Sequence, residues 1–187
     1  MIRVFIAIDI ADSIRRDIAG LGRSLPDTRS VPVDQLHLTL KFIGEVEGSR
    51  VLDIQEALLD IVRPAFSLCL KGVGTFPPRG LPRILWAGVD PHEQVVALRN
   101  AIERKLFEID IPRERQKFSP HLTLARLKNC PIKRLQEFLA GNAMLRTAEF
   151  SVEQFHLYKS QLTKSGAIHT ILQSYPLKMA NGQPEKR

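Results

Sequence analysis

Two copies of the tetrapeptide His-Leu-Thr-Leu, at residues 37–40 and 121–124, carry the side chains that could do chemistry in this chain. The sequence has five histidines in 187 residues, so two of them in identical contexts indicate a repeated element. An imidazole with an ordinary pKa near ~6.5 acts as a base when neutral and as an acid when charged. The two copies could therefore supply a general base and a general acid to a single reaction.

The spacing inside each tetrapeptide is that of a β-strand. Residues two positions apart in a strand project from the same face, so His37 and Thr39 point one way and the leucines point into a core. His121 and Thr123 have the same spacing. Threonine hydroxyls donate hydrogen bonds to phosphoryl oxygens, and in-line displacement at phosphorus needs a base on one side and an acid on the other. The pair of H-x-T-x motifs thus predicts phosphodiester cleavage by an acid and a base, with no metal and no cofactor.

The elements that must position these strands follow the same order around each copy. After a first strand at 3–9, the apolar spacing predicts helix, motif strand, helix, strand and strand twice. The second set opens with Asp90 as the expected N-cap residue of a helix, followed by Pro91 at the first helical position. This order predicts an α+β fold with two pseudo-symmetric lobes, each an antiparallel sheet backed by helices, and an active-site cleft between them.

The predicted domain organisation is a single two-lobed domain at 1–177, with lobes at roughly 12–89 and 91–177, and a polar C-terminal tail at 178–187. The apolar runs are shorter than the ~18 residues that a membrane span needs, so no membrane contact is expected and the expected location is the cytoplasm. A formal net charge of +7 favours an anionic partner such as RNA or a nucleotide. No sequence feature indicates an oligomer, and a monomer is the default expectation.

The histidines and the other candidate functional residues also have a purely structural interpretation. A lone strand histidine is usually structural, but duplication together with threonine favours function for His37 and His121. A metal site would need a third histidine or a carboxylate on the same strands, and neither motif supplies one. His169 has its threonine adjacent rather than two positions away, so it is interpreted as structural, and Trp86 is interpreted as a core residue. The basic residues at 113–117 form a solvated loop or guide an RNA backbone.

The chain resembles a known family in the motifs and in the segments around them. The motif pair is similar to that of the two-histidine (2H) phosphoesterase superfamily, and the closer resemblance is to the LigT-type RNA 2′,3′-cyclic phosphodiesterases. It covers nearly the whole chain and is carried by these segments: HLTLKFIG at 37–44, FPP at 76–78, LWAGV at 85–89, FSPHLTLAR at 118–126 and LYKS at 157–160.

The resemblance implies an enzyme that opens a 2′,3′-cyclic phosphate on RNA or a nucleotide and leaves a 2′-phosphate. It implies that His37 is the proton donor to the leaving O3′ and that His121 is the base that activates water. Thr39 and Thr123 are predicted from their hydroxyls to bind the phosphate. Members of the family have also been associated with joining RNA ends through 2′,5′ bonds. The alternative is a module of the same fold that binds RNA or nucleotides without catalysis.

The resemblance also implies that Phe42 and Arg126, each five positions after its histidine, contact the base of the substrate. Strict strand alternation puts a residue at this spacing on the opposite face from the histidine. A bulge or strand end at Gly44 and near Leu127 would bring Phe42 and Arg126 back to the face of the histidines. An aromatic face and a guanidinium plane are both suitable for stacking on a base.

Overall fold

Strands and helices alternate through the part of the chain that the computed structural model describes, residues 1–163 and 166–178. The predicted tail at 178–187 lies outside these residues except for Lys178, whose backbone pairs with Pro64 and donates to the carbonyl of Arg63 at 2.8 Å. The strands are β1 (Ile2–Asp9), β2 (Thr28–Ser30), β3 (His37–Val46), β4 (Phe66–Phe76), β5 (Ile84–Asp90), β6 (His121–Leu127), β7 (Phe150–Val152), β8 (Gln154–Thr163) and β9 (Gly166–Pro176). The helices are α1 (Asp12–Asp17), α2 (Gly48–Leu59), α3 (Glu93–Glu108) and α4 (Ile132–Gly141), with a 3-10 turn at Val33–Gln35.

The strands form a curled, antiparallel sheet with the two motif strands adjacent at its middle. Its order is β7-β4-β5-β6-β3-β1-β8-β9, with β2 added beside β6. The junction of β6 and β3 is the pair Leu38 and Leu122, and four strands of the order lie on each side of it. The predicted α+β architecture and its repeated element order are confirmed.

The two halves of the sheet are not contiguous in sequence. Strands β8 and β9 come from the predicted second lobe but extend the sheet from β1, while β4 and β5 come from the predicted first lobe but extend it from β6. Each half therefore combines strands from both halves of the chain. The sequence order showed the repeat but not this exchange, because antiparallel pairing between distant strands leaves no local signal.

Two hydrophobic clusters lie on opposite faces of β1, which is buried on both sides as a central strand should be. Val4, Ile6 and Ile8 belong to the main core, which the helices cover. Phe5 and Ala7 point the other way and pack with Tyr158 in a small separate cluster. This second cluster is on the face that carries His37, because the Phe5 and His37 rings lie 4.9 Å apart.

A buried ion pair connects β3 to α3 directly behind the first motif. Lys41 Nζ lies 2.9 Å from Glu103 Oε1 and donates a second hydrogen bond of 2.9 Å to the carbonyl of Pro112. The same Glu103 oxygen lies 3.0 Å from Arg99 Nη2. The side chains of Lys41 and Glu103 are only 3% and 5% exposed. Buried polar contacts therefore connect β3, α3 and the segment that leads to β6.

The expected N-cap role of Asp90 is wrong. Helix α3 begins at Glu93, and the flanking residue His92 makes no side-chain cap. The Asp90 carboxylate instead lies 3.2 Å from Lys71 Nζ and 3.0 Å from Arg146 Nη1, and these partners hold its pKa below the ordinary value. The cations come from segments distant in sequence, so the local pattern could not show them.

Candidate active site

His37 and His121 open the two motif strands and project, half-buried, from the same face of the sheet. The leucine after each histidine is fully buried, as the alternation predicted. Because Leu38 pairs with Leu122 in an antiparallel register, His37 lies opposite Thr123 and His121 lies opposite Thr39. The structure therefore brings the four predicted motif side chains to neighbouring positions at the centre of the sheet.

Both histidines are oriented by the same backbone contact. His37 Nδ1 lies 2.7 Å from the carbonyl oxygen of Gln35, and His121 Nδ1 lies 2.8 Å from the carbonyl oxygen of Ser119. A carbonyl oxygen only accepts, so Nδ1 carries the hydrogen in both rings. Nε2 is then the nitrogen of each ring that takes up or releases a proton.

An aromatic ring packs against each of the two imidazoles. Phe5 of β1 lies 4.9 Å from the His37 ring, and Phe76 of β4 lies 4.9 Å from the His121 ring. Trp86 packs on Phe76 at 5.3 Å and pairs with Thr123 across the strands, so it is a half-buried neighbour of the site rather than a core residue. Each phenylalanine restricts the orientation of the imidazole that it packs against.

A bulge in each motif strand resolves the conflict over Phe42 and Arg126. Leu40 of β3 has no paired residue on β1, and Leu124 of β6 has no paired residue on β5. At this point two consecutive residues are buried in each strand, and the residues that follow them, Phe42 and Arg126, are exposed. Both residues thus return to the face of the histidines, by bulges at the last residue of each motif, and β3 has a second irregularity at Ile43, beside the expected position at Gly44.

The environment of His37 keeps its imidazole neutral in the ligand-free protein. The pKa of His37 is lowered to about 4, mainly by burial and to a smaller extent by the nearby His169, while the bond to the Gln35 carbonyl and the charge of Asp9 oppose the shift. A negative charge bound beside His37 would raise this pKa.

A third histidine, His169, which was interpreted as structural from the sequence, lies against His37. The ring of His169 on β9 stands edge-on to that of His37 at 5.4 Å and to that of Phe5 at 4.9 Å. Tyr158 on β8 stacks on Phe5 at 5.0 Å and donates a short hydrogen bond to Asp9. Tyr158 falls in one of the segments that carry the family resemblance. The position of His169 depends on the pairing of β9 with β8 and has no local signal.

A cavity of about 180 Å³ opens beside His37. Its walls come from the turn before β3, from the end of β1 and from β8 and β9. The side chains and backbone that surround it belong to Asp9, Asp34, Gln35, Leu36, His37, Tyr158, Ile168 and His169. The motif threonines do not line the cavity, which opens at the N-terminal end of the first motif strand.

Within residues 1–163 and 166–178, no cluster of three histidine, cysteine or carboxylate side chains has a geometry that could hold a metal ion. In the same part of the chain, no helix has the length and apolar composition to cross a membrane. The two cysteines, Cys69 and Cys130, are buried and unpaired with each other.

Comparison with known proteins assigns the chain to a family. The sequence model of the 2′-5′ RNA ligase superfamily matches residues 10–164. An RNA 2′,3′-cyclic phosphodiesterase of Archaeoglobus fulgidus is 31% identical over 176 residues, covering 92% of this chain and 99% of that protein. One of Aeropyrum pernix is 35% identical over 174 residues, covering 90% and 94%. The crystal structure of E. coli LigT in its apo form superposes with a TM-score of 0.77 at 26% identity, covering 94% of this chain and 97% of LigT.

The chain belongs to the 2′-5′ RNA ligase superfamily, a family of 2H phosphoesterases. Within this family it is of the LigT type, which confirms the resemblance seen in the sequence. E. coli LigT has also been solved in complex with 3′-AMP.

Proposed function

We propose that this protein hydrolyses 2′,3′-cyclic phosphate ends of RNA or nucleotides to 2′-phosphates, using two histidines and no metal. The observation that carries the proposal is the equivalence of the two motifs. Each presents an imidazole whose Nδ1 faces a backbone carbonyl and a threonine on the same face, at neighbouring positions on adjacent strands. The names of the relatives and the 3′-AMP complex of LigT support an RNA or nucleotide substrate.

In the proposed reaction His121 Nε2 accepts a proton from water, and the resulting oxygen attacks phosphorus. The bond from phosphorus to O3′ breaks on the opposite side, and His37 Nε2 donates its proton to O3′. The product keeps the phosphate on O2′, and the two histidines end with exchanged protonation states. The hydroxyls of Thr39 and Thr123 donate to the phosphoryl oxygens, whose negative charge increases during the attack.

The low pKa of His37 is compatible with proton donation only if the bound substrate raises it. A cyclic phosphodiester carries a negative charge, and an opposite charge within a few ångströms favours the protonated imidazole. Substrate binding thus raises the pKa of His37 above about 4, and the ring takes up from solvent the proton that it later donates to O3′. Phe42 and Arg126, brought to this face by the bulges, would stack on the base of the substrate.

Ligation through 2′,5′ bonds is a second candidate function, favoured by the family that the chain matches. It uses the same site with a 5′-hydroxyl in place of water. His121 would take the proton of that hydroxyl, the new bond would form from O5′ to phosphorus, and O3′ would again leave with the proton of His37.

The reaction is tested by incubating the protein with a 2′,3′-cyclic mononucleotide in EDTA and following the product by phosphorus NMR. The expected product is a 2′-monophosphate, at a rate that EDTA leaves unchanged. A 3′-monophosphate would contradict the assignment of O3′ as the leaving group. An unchanged substrate would contradict hydrolysis and favour the binding module, while loss of activity in EDTA would contradict a reaction without metal.

A further inference from the structure

The cavity beside His37 has no part in the proposed reaction, although it adjoins the acid. Its volume of about 180 Å³ is far larger than the roughly 15 Å³ that a single bound water needs, and it has room for a sugar or a base. It lies before His37 in the chain, at residues 34–36, whereas Phe42 lies after it on the same strand. The cavity thus adjoins the N-terminal end of β3, and Phe42 lies five positions further along this strand.

The chemistry of the substrate decides what reaches this cavity. In an in-line displacement the attacking water and the leaving O3′ lie on opposite sides of phosphorus. Carbon C3′, which carries O3′, is bonded to C4′, and C4′ leads through C5′ to the phosphate of the preceding nucleotide. If His37 protonates O3′, the RNA chain must leave the site on the side of His37, where the cavity opens.

The walls of the cavity carry carboxylates that accept hydrogen bonds. Asp34 is exposed at its rim, and Asp9 accepts from the Tyr158 hydroxyl with Arg15 Nη2 at 3.6 Å. Carboxylates attract the hydroxyl and amino groups of a nucleoside and repel an anion. His169 adds a buried Nδ1 that has no hydrogen-bond partner among the described residues, and Ile168 adds apolar surface.

We propose that this cavity is a subsite for the nucleoside that precedes the cyclic phosphate end, so that the enzyme prefers an RNA of two or more nucleotides over a mononucleotide. The inference rests on the proposed function and adds its substrate class. The nucleoside places its ribose hydroxyls or amino groups on Asp34 and its ring against Ile168, while the linking phosphate stays outside the acidic walls.

The test compares kcat/KM for a dinucleotide that ends in a 2′,3′-cyclic phosphate with kcat/KM for the cyclic mononucleotide. The wild-type protein should favour the dinucleotide by about tenfold or more, the effect of a hydrogen bond to a charged group. Asp34→Ala should reduce this ratio because it removes an acceptor. Ile168→Trp should reduce it as well, because it fills the cavity from the rim at a side chain that is 51% exposed. The control Asp17→Ala, an exposed carboxylate on α1, should keep the wild-type ratio.

Equal kcat/KM for the two substrates in the wild-type protein would overturn the subsite. So would an equal loss on both substrates in Asp34→Ala and Ile168→Trp, because the cavity would then hold the terminal nucleoside itself. Absence of turnover with both substrates in the wild-type protein would instead contradict the proposed function, so the two failures are distinguishable.

Discussion

Replacing either His37 or His121 with alanine is expected to lower kcat for a 2′,3′-cyclic nucleotide by roughly 10²–10⁴-fold, the range that a positioned acid or base contributes. Each ring is oriented through Nδ1 and packed by a phenylalanine, so its removal takes away a positioned acid or base. The double variant should lose little more than the worse single variant, because an acid and a base that act in one step are not additive. The measurement is steady-state turnover of the purified variants.

A matched control is available within the same chain. His92 lies at the start of α3, and its side chain is 60% exposed, so His92→Ala should turn over like the wild-type protein. Thermal unfolding should show that all three variants are folded. Turnover of His37→Ala or His121→Ala within about threefold of wild type would contradict the acid–base role of that residue.

Replacing Glu103 with alanine is expected to destabilise the fold by about 3–5 kcal/mol, the cost of leaving buried charge uncompensated. Glu103 faces both Lys41 and Arg99, and the three side chains are at most 12% exposed. For a chain of this size the loss corresponds to a fall in Tm of about 6–20 °C. The measurement is the free energy of unfolding from urea denaturation, together with Tm.

The control for Glu103 is a carboxylate of the same helix that lies in water. Glu108 pairs with Lys105 at the surface and is 52% exposed, so Glu108→Ala should cost less than about 1 kcal/mol. The double variant Lys41→Met with Glu103→Leu should recover part of the loss, because it removes a buried charge from each side of the pair. A Tm for Glu103→Ala equal to that of Glu108→Ala would contradict a structural role for the buried pair.

The sequence predicted those features of the fold and site that local periodicity determines. The alternation of buried leucines with His37, Thr39, His121 and Thr123 requires only a strand with one face in the core, and the structure has it in both copies. The repeated order of elements was likewise visible from helical and strand spacing. Sequence reasoning also required a bulge to bring Phe42 to the site, but it could not locate the bulge at Leu40.

The remaining features depend on contacts between segments that are distant in the chain. His169 reaches His37 only because β9 follows β8 at the edge of the half-sheet that contains β3. Asp90 has the local signature of a helix cap, yet two cations from β4 and from the segment after α4 bind its carboxylate. Lys41 is buried because the bulge turns its side chain into the core, where it pairs with Glu103. Strict strand alternation would place this lysine in solvent, so the sequence pattern shows neither the bulge nor the pairing.

The central claim is that two equivalent histidines divide the roles of acid and base, with His37 serving the leaving O3′. The direct measurement uses a cyclic nucleotide in which sulfur replaces O3′, because a thiolate, with an ordinary thiol pKa near ~8.5, leaves without a proton. On this substrate His37→Ala should turn over within about tenfold of wild type, whereas His121→Ala should stay at least about 10²-fold slower. Recovery of His121→Ala in place of His37→Ala, or recovery of neither variant, would contradict the assignment.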